Sequence, residues 1–154
     1  MTIIKKVVFH KSFLEGRLDS PTATDMAIMT PDEVKRMSDW LVNVIAGKSH
    51  VGANKPSWMA NGAFVPGTEL YRDCNIWHYH CGPYKKADGA KLTDNTFNAN
   101  YDGLHSGPVY HYAKQGDTII VLGFSRMHNP FPLVRSKKNP LGARGTTLDQ
   151  VAEI

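Results

Sequence analysis

The segment Pro108 to Phe131, PVYHYAKQGDTIIVLGFSRMHNPF, constrains the fold more than any other. Two runs of alternating or β-branched residues meet at Gln115-Gly116-Asp117, the pattern of a tight antiparallel hairpin. Strand periodicity puts Tyr110 and Tyr112 on one face and His111 on the other. The second strand then runs into Arg126, His128 and Phe131. A rigid two-stranded platform that ends in a cation, an imidazole and an aromatic ring suits a phosphate held beside a stacked base.

The rest of the chain fits around that hairpin as an α+β domain: an antiparallel sheet with a helix packed on one face. Ile3 to Val8 reads as a short strand, placed at an edge by Lys5 and Lys6. Thr30-Pro31-Asp32-Glu33 is a helix start, with a capping threonine, a first-turn proline and the glutamate of a capping box. Val34, Met37, Leu41, Val44 and Ile45 follow as one apolar stripe, and Gly47 ends it. Lys48 to Gly67 reads as irregular, with Trp58, Met59 and Phe64 as anchors. Arg72 to Cys81, RDCNIWHYHC, reads as a strand with Ile76, His78 and His80 on one face and Trp77 and Tyr79 on the other. Gly82 to Gly107 reads as a surface insertion.

With 154 residues the chain is expected to form a single domain over 1–154. The net charge of +4 favours an anionic partner. The distribution of charge is sharper than the total. Thr118 to Leu148 contains no Asp or Glu, yet Arg126, Arg135, Lys137, Lys138 and Arg144 fall there, so residues from about 132 to 154 read as a basic arm. Cys74 and Cys81 do not suggest a disulfide scaffold. No stretch has the length of a signal peptide's apolar core or of a membrane span, which makes the cytoplasm the expected compartment and a membrane no expected partner.

Cleaving RNA without a metal requires a base for the 2′-hydroxyl, a charge to steady the phosphorane and an acid for the departing 5′-oxygen. Histidine serves either proton role near neutral pH. His128 is the leading candidate because it follows a strand end and opens a loop, where function concentrates. His78 and His80 share one strand face, Arg126 offers a planar fork for phosphate oxygens, and His111 is read as structural. Phe131, Tyr110 and Tyr112 offer stacking faces, and Lys137, Lys138 and Arg135 offer backbone contacts. No cofactor is called for. A rival chemistry is metal binding at His78-x-His80, with His111 or His105 as a third ligand. A non-catalytic nucleic-acid-binding module is a further alternative.

The opening strand, the helix after Thr30, the strand YRDCNIWHYH and the hairpin VYHYAKQGDTIIVLGFSRMHNPF together resemble the RelE superfamily of mRNA endoribonuclease toxins, most closely its YafO and YafQ branches. The resemblance covers roughly half the chain. It implies a RelE-like, barnase-like small RNase fold, with His128 as the proton-transfer residue and Phe131 as a positioning ring. His78 and His80 match the histidine-bearing central strand of the YafO-like branch. The function implied is metal-independent cleavage of mRNA on the ribosome by a toxin whose partner is an acidic antitoxin. Three features depart from the pattern, one being a tail after Pro132 with neither a clear helix nor the late tyrosine that some members carry. Gly107 and Pro108 stand where members tend to carry an arginine, for which Arg126 is the substitute, and the insertion before the hairpin is long.

Overall fold

The computed structural model describes residues 3–85, 89–128 and 139–153. Its centre is a six-stranded sheet in the order β10-β1-β9-β8-β7-β4, built from β1 (Lys6–His10), β4 (Asn54–Pro56), β7 (Ile76–His80), β8 (Val109–Gln115), β9 (Thr118–Ser125) and β10 (Val151–Glu153). Among the described residues the α-helices around it are α1 (Lys11–Glu15), α2 (Pro31–Ile45), α3 (Glu69–Asp73) and α4 (Leu141–Gly145). Two small hairpins, β2 (Asp19–Ser20) with β3 (Ala23–Thr24) and β5 (Met59–Ala60) with β6 (Ala63–Phe64), complete the α+β architecture. Among the described residues no helix is long and apolar enough to cross a membrane.

The β8–β9 hairpin forms in the expected register, with Gln115 opposite Thr118. Gly116 adopts φ +58 at the first turn position, a left-handed conformation that glycine reaches without a Cβ penalty. β1 departs from expectation. It is not an edge strand: β9 pairs with it in parallel on one side and β10 in antiparallel on the other. Its lysines precede or open the strand, whereas Val8, Phe9 and His10 are buried. The sheet is therefore mixed, antiparallel except at β1 and β9.

α2 starts as its sequence demands. Thr30 Oγ1 accepts the Glu33 amide at 3.2 Å, and Glu33 Oε1 accepts the Thr30 amide at 2.8 Å. Its buried stripe is Met37, Trp40 and Val44, with Val34 and Leu41 at the margins. Ile45, expected in the stripe, is 51% exposed, and the indole of Trp40 takes the centre of the interface. Trp40 packs on Tyr79, Tyr110, Tyr112 and Phe97 with ring centroids 4.7 to 6.1 Å apart.

The opposite sheet face carries a second, smaller core of Val8, Tyr71, Ile76, Ala113, Ile120, Leu122 and Leu141, covered by α3 and α4. Helices thus pack on both faces. Cys81 lies in the α2-side core and Cys74 borders the opposite one.

The chain from Gly82 to Gly107 is more than a surface insertion. Phe97 is fully buried, and bridges join His50 to Thr93, Gly52 to Leu104 and Asn54 to Asn100. A Cβ on Gly52 would collide with the His80 carbonyl, so only glycine lets these backbones meet. The Asn54 side chain donates to the Phe97 and Asn98 carbonyls at 3.1 and 3.2 Å and accepts the Tyr112 hydroxyl at 2.6 Å. Lys48 to Gly67, read as irregular, likewise supplies β4 and the β5–β6 hairpin.

Candidate functional site

Strand alternation sends Ile76, His78 and His80 of β7 to the face opposite α2, together with His111 of β8. Cross-strand pairing then aligns them: Lys55 of β4 stands opposite His78, and His78 opposite His111. α3 and α4 cover the Ile76 and Ala113 end of this face. The histidine end faces two adjoining clefts of about 540 and 610 Å³. Lys55, Ser57, His78 and Tyr101 are among the residues lining the first, and His80, Lys85, His105 and Ser106 among those lining the second. His128, just beyond β9, lines both.

One ring nitrogen from each of His78, His80 and His128 lies within 4.8 Å of the other two. The Nε2 atoms of His78 and His128 are 3.2 Å apart, close enough to share a proton. Each strand histidine is held by its other nitrogen: His78 Nδ1 lies 3.0 Å from Ser57 Oγ, and His80 Nδ1 lies 2.8 Å from the Ser106 carbonyl and 3.1 Å from the Ser106 amide nitrogen, whose N–H points at it. Assigning the His80 proton to that shorter contact leaves Nε2 as a bare acceptor. His80 Nε2 is buried without a partner.

All three rings are biased towards the neutral form. Burial is the main cause for each: it holds His78 well below the ordinary value, pushes His80 down to about 3 and lowers His128. The neighbouring imidazoles and the Lys55 ammonium push in the same direction. Lys55 is itself lowered by burial. Among the described residues no Asp or Glu lines either cleft, and Lys55 has no ion-pair partner. Such a surface attracts anions.

The other candidates are distributed differently. Arg126 faces α2, where Nε and Nη2 donate to the two Glu33 carboxylate oxygens at 2.8 and 2.9 Å. That hydrogen bond also holds the Glu33 carboxyl below the usual range. Arg126 lines neither cleft, whereas Lys55 lines the first and Lys85 the second. Tyr110 and Tyr112 are 1% and 0% exposed. Alternation turns them under Trp40, so their faces are not open to a base. Tyr101, 44% exposed at the first cleft, is the accessible ring. His111 is structural, as its Nε2 donates to Ser125 Oγ at 2.7 Å and Ser125 donates on to the Thr22 carbonyl at 2.6 Å. Phe131, Arg135, Lys137 and Lys138 lie outside the described residues.

Lys55, Ser57 and Tyr101 were not visible as site residues in the sequence. Lys55 and Ser57 sit in a stretch without strand periodicity, and only pairing to β7 gives them a direction. Tyr101 carried one signal, an aromatic ring in an Asn-, Asp- and Gly-rich loop. No family model matches the chain, and no curated protein or solved structure matches it.

Proposed function

We propose that the chain is a metal-independent endoribonuclease, the toxin of a toxin-antitoxin pair, acting on mRNA at the ribosome in the cytoplasm. The observation that carries this reading is the pair of imidazoles 3.2 Å apart, beside the ammonium of Lys55, in a cleft that no carboxylate lines among the described residues. Transesterification moves one proton off the 2′-hydroxyl and one onto the departing 5′-oxygen. It leaves a 2′,3′-cyclic phosphate and a 5′-hydroxyl end. Two coupled imidazoles suit that exchange, because one presents an N–H while the other presents a lone pair. His128, which lines both clefts, is the group in contact with the scissile phosphate, and His78 passes or receives its proton. Lys55 is placed to hold the non-bridging oxygens as charge builds on the phosphorane. Tyr101 offers a face for a neighbouring base. The ribosome as the place of cleavage and an acidic antitoxin as the covering partner come from the RelE-like resemblance, and the cationic clefts are compatible with both.

The test is incubation of purified protein with labelled mRNA, with and without ribosomes, in excess chelator, with analysis of fragment ends. Cleavage leaving 5′-hydroxyl ends is expected, and His128→Ala should reduce its rate roughly 10²- to 10⁴-fold, the usual range for one acid-base group, with the melt nearly unchanged. Undiminished cleavage by folded His128→Ala would refute the assignment.

A further inference from the structure

We propose that the convergent nitrogens of His78, His80 and His128 also form a binding site for a divalent transition cation of the zinc class, and that the bound cation switches RNA cleavage off. The blocking half of this statement rests on the ribonuclease reading; the site itself rests on geometry alone.

Four observations support the site. The three rings come from two places in the chain, the strand β7 and the turn after β9, yet their nitrogens meet within 4.8 Å. The His78 to His128 separation of 3.2 Å is close to the edge of a tetrahedron whose metal-nitrogen bonds are about 2.0–2.1 Å. Both strand histidines are oriented through the opposite ring nitrogen, by Ser57 Oγ and by the Ser106 carbonyl. Metal-bound imidazoles are held in this way, because the outer contact fixes the orientation of the ring and turns its second nitrogen inward. Finally, His80 is 3% exposed and its Nε2 has no partner. A buried nitrogen left unsatisfied costs free energy that a ligand would recover.

The donor set selects the cation. Three neutral nitrogens without a carboxylate suit zinc, copper or nickel and disfavour magnesium and calcium, which require oxygen ligands. Among the described residues three protein ligands converge, one fewer than a tetrahedral ion takes. Lys55 stands beside the site and repels a second cation, so it weakens the binding that the imidazoles favour. Once the nitrogens are coordinated, none can accept or deliver a proton. Cleavage then stops while the fold is stabilised.

The experiment is calorimetric titration of chelator-treated full-length protein with Zn2+, repeated with Co2+ to follow visible absorption, and paired with RNA cleavage at each metal concentration. One Zn2+ per chain is expected, with intense tetrahedral Co2+ bands, a raised melting temperature and cleavage that falls as the site fills and returns with chelator. His128→Ala, on a turn, should lose at least tenfold in Zn2+ affinity. Its circular dichroism and melt without metal report whether it is folded, and His80→Gln provides a second variant. Lys55→Ala should bind Zn2+ more tightly while cleaving RNA more slowly. Absence of stoichiometric Zn2+ binding beside normal cleavage would overturn the site and leave the ribonuclease reading intact. Binding that is intact in both histidine variants, or lost in Lys55→Ala, would also overturn it. Cleavage that requires Zn2+ would refute the blocking role and the metal-independent mechanism together, while the site would stand. No cleavage under any condition, with Zn2+ bound, would refute the ribonuclease reading and with it the blocking role, while the site would stand.

Discussion

Arg144 buries its guanidinium beneath the sheet, donating to Asp25 Oδ1 and the Leu122 carbonyl at 2.8 and 2.7 Å, and to the Ser12 carbonyl at 3.2 Å. The side chains of the ion pair are 6% and 2% exposed. A charge buried this deeply depends on its partner, so Asp25→Ala should destabilise the protein by about 3–5 kcal/mol. The denaturation midpoint reads this directly, and a loss below about 1 kcal/mol would show that the pair is not sealed from water. Arg144 belongs to a run of cations that reads, in sequence, as an open basic arm. Two of that run, Arg126 and Arg144, are neutralised by Glu33 and Asp25, residues at or near the start of α2 and remote along the chain. Charge counting shows how many cations a segment holds, but it does not reveal which acids the fold brings to them. Lys55 illustrates the converse: an unremarkable lysine that comes to stand opposite His78 because β4 pairs with β7.

At the level of elements, α2 is capped reciprocally by Thr30 and Glu33, and Glu33 also receives Arg126. Thr30→Ala removes one half of the box and should cost about 1 kcal/mol, seen as a lower denaturation midpoint with unchanged RNA cleavage. A simultaneous loss of cleavage would mean that α2 positions the histidine cleft, which lies across the sheet from it. The elements that announce themselves locally, α2 by its cap and the β8–β9 hairpin by its turn, were legible in place and extent, although the buried stripe of α2 includes Trp40 and excludes Ile45. β7 was legible in register from Ile76 to His80, because period two fixes which side chains share a face, whereas Arg72 and Asp73, read as the start of that strand, form the end of α3. β10, β4 and the docked insertion were not. Each is short and gains its structure from a distant strand, a hydrogen-bond partner that composition does not encode. The site divides along the same line. His78 and His80 could be read from β7, whereas the meeting of His128 with them depends on where the turn after β9 leads.

The molecule as a whole keeps several imidazoles neutral in its interior. His50 is 6% exposed, and burial pushes it down to about 4; burial also lowers His10. Both are depressed relative to the unfolded chain, where histidine titrates near 6.5. The unfolded state therefore takes up protons that the folded state refuses as pH falls below that value. Stability from this source is complete above about 6.5 and is lost as pH falls towards the folded values, by about 3 kcal/mol from His50 alone at pH 4. Urea melts between pH 8 and pH 4 should show the decline beginning near 6.5, and His50→Leu should flatten part of it. A profile level down to pH 5 would contradict this account.

The pairing of β1 has a kinetic consequence. His10 meets Val151 across the sheet, and Lys6 meets Thr118, so the earliest strand of the chain cannot dock until much later residues have been synthesised. β8 and β9 join through a two-residue turn and can zip together as soon as they emerge. During translation the hairpin therefore precedes the strand it will flank, and β1, with Val7, Val8 and Phe9 in succession, waits as an unpaired hydrophobic segment. That interval is when the nascent chain is most exposed to intermolecular strand addition, and it closes from the C-terminal side, when β10 arrives.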